Sequence, residues 1–320
     1  MSTQTYLDAI VDAQIEEMER DERVILMGED IAIYGSGDLL ERFGGDRIWN
    51  TPISEGGFCG VAIGAAVGGL RPIVDLSIAS FTYLASDQII NQAAKLHFMT
   101  GGQIRVPVVF RVCMYYAESL AAQHSDRPYP LFMNVPGLKI LMPTTPADVK
   151  GLLKSAVRDD DPVILFEDIK LWNLKGEVPT EPDTLVPIGI AKVRRVGTDL
   201  TIVAISGAMR AALEAVKALE SEGISAELID PRTLKPLDSE TILRSVVKTG
   251  RLIIVENAHR VAAAGAEIAA QVAEEGFEAL KKPIIRLTAP DAHVGFSPAL
   301  ERGLYPRKDD IVAAARKLLA

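Results

Sequence analysis

Short runs rich in β-branched and other apolar residues recur along the chain: RVILMG (23–28), RPIVDLSI (71–78), RVPVVFRV (105–112), LKILMP (138–143) and DPVILFED (161–168). Each is too short for a buried helix and too continuously apolar for a strand with one wet face, so each reads as a strand covered on both sides. Between them lie segments with helical spacing of Ala, Leu and Ile, such as SDQIINQAAKLHFM (86–99) and TPADVKGLLKSAVRD (145–159). In the second of these Thr145 is a suitable N-cap and Pro146 fits the first helical turn. Strands alternating with helices leave a parallel sheet sandwiched by helices as the architecture. The alternation stops over NLKGEVPTEPDTLVPIG (173–189), where Pro, Gly, Thr and acids take over, and restarts with DLTIVAISG, ISAELIDPR, GRLIIVEN and KPIIRLTAPD. Helical stretches such as GAMRAALEAVKALESEG and AGAEIAAQVAEEGFEAL separate these later strands. The expectation is an α/β chain of two domains, 1–180 and 181–320, each with a parallel or mostly parallel sheet and helices on both faces.

Several function classes are disfavoured at once. A net charge of −9 with no basic block argues against nucleic acid or an anionic membrane as the main partner. Phe58 to Leu70 is the most apolar stretch, and it is too short for the roughly 20 residues of a membrane span. The N-terminal segment reads as an amphipathic helix rather than a signal peptide, and Cys59 and Cys113 lack any metal or disulfide spacing, so a cytoplasmic location is expected. No P-loop is present, and the glycines of YGSGDLLERFGG (Gly35, Gly37) and GVAIGAAVGGL read as turn and helix-packing residues. His97, His124, His259 and His293 are scattered without the spacing of a transition-metal site.

Two residues have both an ordinary and a functional reading. Glu55 follows Ser54 at the start of a glycine-rich helix, where an acid suits the positive end of the helix dipole. The same carboxyl is flanked by Ile53, Phe58 and glycines, a setting that removes water and lets an acid hold or share a proton with a nitrogen heterocycle. His124, in the polar loop LAAQHSDRPYP after a strand, is either a hydrogen-bonded loop histidine or a functional group presented from the sheet end.

The stretches VILMGEDIAIYG, TPISEGGFCGVAIGAAVGGLRPIVDL, DQIINQAAK, VPVVFR, AAQHS, PGLKILMPTTPADVKGLLKSAVRDDDPVILFE, IDPRTLKPLD and GAEIAAQVAEE occur in one order and at one spacing over nearly the whole chain. In this the chain resembles the β subunits of thiamine-diphosphate-dependent 2-oxo acid dehydrogenase decarboxylase components, those of the pyruvate, branched-chain and acetoin complexes. The resemblance implies a transketolase-like pyrimidine-binding domain followed by a transketolase C-terminal-like domain. It implies that Glu55 hydrogen-bonds the aminopyrimidine ring and favours the imino tautomer, whose exocyclic nitrogen removes the thiazolium C2 proton. Phe81 then packs against the pyrimidine, though it also reads as ordinary core, and Ile53 contributes a backbone contact. His124 becomes the histidine beside the reacting carbon in acyl transfer to a lipoyl group. A structural potassium ion is implied at Val108, Ala156, Val157, Asp159 and Asp161, held mainly by backbone oxygens, where the residues alone read equally as a solvated acidic loop.

The G-D-G…Asn arrangement that ligates magnesium and diphosphate in this class does not occur in the chain. The resemblance therefore implies a separate α subunit carrying it, an α2β2 assembly with the cofactor shared between subunits, and a lipoyl acyltransferase or lipoyl carrier as further partner. Three departures stand out. The stretch between strand and histidine, typically R-G-P-x-G-x-x-x-G, is here RVCMYYAES, without glycine. The loop IAIYGSGDLLERFGG is shorter than usual, and VGFSPALE replaces P-Y-A-x-x-L-E. The leading function is decarboxylation of a 2-oxo acid with acyl transfer to a lipoyl carrier. The alternatives are a transketolase-like subunit moving a two-carbon unit from a ketose or hydroxylated donor, and a non-catalytic scaffold subunit.

Overall fold

The computed structural model describes residues 1–31 and 37–320, so part of the shortened loop, Gly35 included, lies outside the described residues. The chain forms two compact units: Met1–Tyr115 with Leu131–Ile188, and Tyr116–Pro130 with Gly189–Ala320.

In the first unit the order is β1 (Ser2–Thr5), α1 (Tyr6–Arg20), β2 (Val24–Gly28), α2 (Gly37–Phe43), β3 (Ile48–Asn50), α3 (Glu55–Val67), β4 (Arg71–Ile78), α4 (Ala94–Met99) and β5 (Val109–Met114). The chain then forms α5 (Ala121–His124) in the second unit and α6 (Tyr129–Met133) where it passes back. β6 (Lys139–Leu141), α7 (Pro146–Arg158), β7 (Val163–Asp168) and β8 (Lys175–Val178) complete the first unit. Its main sheet runs β6-β7-β5-β4-β2-β3, with every neighbouring pair parallel. Every residue of β2, β5 and β7 is buried, which is why apolar residues dominate them on both faces; the exceptions are Arg111 on β5 and Glu167 and Asp168 at the end of β7. α1 and α7 share a core on one face, with Ile10 and Ala13 beside Val149, Leu152 and Leu153. Both helices start on threonine caps: Thr5 and Asp8 form a reciprocal capping box, and Thr145 Oγ1 accepts the Asp148 N–H at 3.2 Å.

Two local features differ from the expectation. The stretch read as a connection contains β8, which pairs antiparallel with β1, Ser2 opposite Val178 and Thr5 opposite Lys175. The helix expected over 86–99 is interrupted by a π-helical turn, Gln88–Ala93, before α4. That turn lies against α3: a Cβ built on Gly60 would sit 3.3 Å from the Gln88 side chain, and one on Gly56 would sit 3.3 Å from the Leu84 carbonyl oxygen. Gly56 and Gly60 of α3 thus serve close packing, whereas Gly64 faces open space.

The second unit adds β9 (Lys192–Arg195), β10 (Leu200–Ala204), α8 (Ala208–Ser221), β11 (Ala226–Asp230), β12 (Thr233–Lys235), α9 (Ser239–Thr249), β13 (Leu252–His259), α10 (Ala264–Glu275), β14 (Ile285–Ala289), α11 (Pro298–Glu301) and α12 (Lys308–Leu319). Its sheet runs β14-β13-β10-β11-β9, parallel except for the antiparallel edge strand β9. α8 and α12 cover one face through Ala212, Ala215, Leu219, Ile311, Ala315 and Leu318. Both sheets are mostly parallel with helices packed on them, as the alternation of apolar runs required.

Candidate active site

Glu55 is the first residue of α3, one residue after Ser54, whose hydroxyl makes no cap hydrogen bond. The acid therefore occupies the positive end of the helix, as the ordinary reading has it. It is also 5% exposed, and no hydrogen bond to a described residue engages its carboxyl. Gly56 brings this turn against the Leu84 backbone, so the segment carrying Phe81 runs beside the helix that carries Glu55. Phe81 is half-buried within the turn Ala79–Tyr83. The side chain of Ile53 is 78% exposed, so what it offers inward is backbone.

A residue that sequence reasoning passed over lies near enough to Glu55 to sense its charge. Glu29 follows β2 directly, is buried, and its Oε2 has no hydrogen-bond partner. Burial and then the neighbouring Glu55 charge, with smaller effects of Asp30 and Asp75, push its carboxyl up to about 7. The available signal was an acid at the carboxyl end of a fully buried strand, where parallel sheets present functional groups. Gly28 locks that strand end, since a Cβ there would lie 2.1 Å from the Asp75 carbonyl oxygen. One turn along α3, burial and the charges of Glu55 and Glu29 push the Cys59 thiol far up, which keeps it protonated and unreactive.

Three adjacent strands of the same unit carry a buried ion cluster. Arg111 on β5 donates to Asp75 on β4 at 2.9 Å and from Nε to Glu167 on β7, which also accepts the Trp172 indole N–H at 3.0 Å. Burial alone would lower the guanidinium, but Asp75 and Glu167 outweigh it and leave Arg111 firmly charged. Cys113, two residues on, is buried beside these acids, and desolvation first, then Glu167 and Asp168, hold its thiol protonated.

At the loop where potassium is implied, the Val157 and Asp159 carbonyls accept Arg71 Nη1 at 3.0 and 2.9 Å, and Asp160 accepts Nη2 at 2.6 Å. The Ala156 carbonyl accepts the Asp159 N–H, and that of Val108 accepts the Val163 N–H. Lys139 pairs with Asp159 at 2.7 Å and with Asp161 at 3.1 Å, and Arg105 lies 3.6 Å from Asp161. The acidic run is thus neutralised by cations of the chain itself, and each carbonyl named retains one lone pair.

His124 belongs to the second unit, where it ends α5 half-buried. The segment around it is fastened at several points. Glu301 accepts the N–H groups of Ala117 and Ser119, Arg127 lies over the rings of Tyr116 and Tyr305, and Tyr129 donates to the buried Glu256 at 2.6 Å. Of the residues singled out from sequence, Glu55, Ile53 and Phe81 lie on neighbouring segments of one unit; the potassium set occupies a separate loop of that unit.

The sequence matches the transketolase pyrimidine-binding domain over residues 2–173 and the transketolase C-terminal domain over residues 189–311. It is 43% identical to the acetoin:2,6-dichlorophenolindophenol oxidoreductase subunit beta of Bacillus subtilis, covering 98% of this chain and 96% of that one. It is also 43% identical to the pyruvate dehydrogenase E1 component subunit beta of Rickettsia felis, covering 98% of each. Its fold is similar to that of a split-gene transketolase solved as an inactive β4 tetramer, with a TM-score of 0.81 at 24% identity over 98% of this chain and 97% of that one. Both domain matches, and 43% identity over nearly the full length to these subunits, place the chain in the thiamine-diphosphate-dependent family of pyruvate dehydrogenase E1 and acetoin dehydrogenase β subunits.

Proposed function

We propose that the chain supplies the pyrimidine side of a thiamine diphosphate site in a 2-oxo acid dehydrogenase, and that it turns over only with an α partner. The observation that carries the reading is the pair of buried carboxyls: Glu55 without a described hydrogen-bond partner, and Glu29 with an orphaned oxygen and a proton retained to about 7. Thiamine diphosphate, when bound, supplies a heterocycle that stabilises the carbanion left by decarboxylation. Glu55 holds and returns a proton at the ring nitrogen, and Glu29 buffers the pocket so that this exchange runs near neutral pH. The backbone at Ile53 and the ring of Phe81 orient the pyrimidine, and His124 moves a proton during acyl transfer to a lipoyl carrier.

Magnesium and the diphosphate fall to the α subunit with its G-D-G motif, because this sequence carries no such motif. Exposed apolar side chains in the first unit support such an assembly, an α2β2 tetramer in this reading: Val61 on α3, Leu84 beside it, and Phe98 and Met99 at the end of α4 are 53 to 88% exposed. A potassium ion at Val108, Ala156, Val157, Asp159 and Asp161 is structural in this reading, held by the lone pairs left on the carbonyls. No catalytic step runs through it.

Glu55→Gln in the αβ complex tests the proposal. It should lower turnover by about two orders of magnitude or more while the fold is kept, the scale of a lost acid/base group. Near wild-type turnover with unchanged cofactor affinity overturns the assignment. The glycine-free stretch supports a second reading, a ketose or hydroxylated donor, since Cys113 and Met114 fill the strand end and Tyr115 packs edge-on against Trp172 at 6.1 Å. Turnover of the complex against 2-oxo acids and ketose phosphates decides between the two.

A further inference from the structure

The loop that carries His124 holds three non-glycine residues in left-handed conformation: Ala117 at φ 54°, Ser119 at φ 59° and Ala121 at φ 60°. Counted from Arg111, Ser119 stands where the resembled family's glycine-rich stretch has its last glycine. An L-residue adopts this conformation at a cost, and several within five positions persist only where surrounding contacts over-determine the backbone. The structure shows one contact made for that task. Glu301, 1% exposed at the end of α11, accepts the Ala117 N–H on one carboxylate oxygen at 2.5 Å and the Ser119 N–H on the other at 3.0 Å. A carboxylate accepting two backbone N–H groups is a strong, geometrically defined clamp.

The rest of the segment is anchored on the same part of the unit. Leu304 N–H bonds the Glu301 carbonyl, and one residue on, Tyr305 meets the Tyr116 ring edge-on at 5.0 Å. The Arg127 guanidinium lies 4.9 Å from the Tyr116 ring and 5.3 Å from that of Tyr305, and its Nη1 donates to the Ser125 carbonyl at 2.6 Å. The clamp and the aromatic pair therefore bracket 117–125, with His124 between them.

We propose that Glu301 is a positioning residue for acyl transfer: its buried carboxylate holds the left-handed backbone of the His124 loop in place. The proposal rests on the reading of His124 as the acyl-transfer histidine. The test uses the αβ complex with Glu301→Ala, Glu301→Gln, and Ala117→Gly/Ser119→Gly/Ala121→Gly, the last alone and combined with Glu301→Ala. Three readouts are taken: amide exchange at Ala117 and Ser119, acylation of lipoamide, and decarboxylation coupled to an artificial oxidant that needs no lipoyl group.

In Glu301→Ala, exchange at both amides should quicken and acylation should fall by about tenfold or more, while oxidant-coupled decarboxylation stays within about twofold. Glu301→Gln, which keeps one acceptor, should fall between and covers the case in which the alanine variant does not fold. The three glycines should return most of the acylation to Glu301→Ala, because they remove the need for the clamp. Unchanged acylation in Glu301→Ala, equal loss of acylation and decarboxylation, or no rescue by glycine overturns the proposal. If His124→Ala leaves acylation intact, the reading of His124 fails instead, and amide exchange still decides whether Glu301 holds the loop.

Discussion

Glu29→Gln should make the protein more stable at alkaline pH and change little at acidic pH. Burial, with the charges of Glu55, Asp30 and Asp75 behind it, holds the Glu29 proton to about 7 in the folded chain, against an ordinary value of 4.5. Below the ordinary value, folded and unfolded chains both carry the proton and stability does not depend on it. Between the two values the unfolded chain releases the proton while the folded chain keeps it, so stability falls as pH rises and the full penalty is in place above about 7. That gap corresponds to about 3 kcal/mol at about 1.36 kcal/mol per unit, and screening by water at the open side of the pocket brings it to about 1–2 kcal/mol. Glutamine carries no charge at any of these pH values and escapes the penalty. With an unfolding entropy of about 2.1 cal/mol/K per residue, the difference amounts to about 2–3 °C in Tm. The assay is thermal unfolding of both proteins from pH 5 to 8.5, where any constant offset from the amide cancels between the two ends. A difference that stays flat with pH, or that turns against the variant at pH 8.5, refutes the reasoning.

Arg111→Met should cost about 3–5 kcal/mol, because it leaves Asp75 and Glu167 buried without their cation, and thermal unfolding should show a drop of several degrees. A loss below about 1 kcal/mol would mean that water reaches the cluster. Thr145→Ala should cost about 1 kcal/mol through the lost cap of α7 and leave turnover unchanged, measurable by denaturant unfolding beside an activity assay.

The fold was legible where burial was complete. β2, β5, β7, β10 and β11 have no exposed residue, so apolar side chains dominate both faces even where a buried polar residue such as Arg111 or Thr201 intervenes, and Thr145 with Pro146 announced α7. It was illegible at the margin. β1 and β8 are polar edge segments whose pairing joins Ser2 to Val178, and no local pattern encodes a partner so distant in sequence. The π-helical turn at 88–93 keeps helical composition and differs only in its hydrogen bonds. In the site, Glu55 was legible because an isolated acid stood out among glycines and apolar residues. Glu29 was not, because GED after a strand looks like any turn. The left-handed residues at 117, 119 and 121 were hidden for a similar reason, since Ala and Ser give no sign of such a conformation and the clamp that holds them lies far along the chain.

The ion cluster of Asp75, Arg111 and Glu167 has a consequence for how this domain changes over time. The three residues sit on three neighbouring strands, with one guanidinium shared by two carboxylates. Losing either acid leaves a balanced pair, whereas losing Arg111 first strands two acids in the core, so the cation is the member that cannot be the first to change. Exchange for an apolar trio of equal volume is open only to a lineage that changes several positions together. Change in this domain is thereby steered away from the three central strands and toward the loops beyond their ends, where the glycine-free stretch lies.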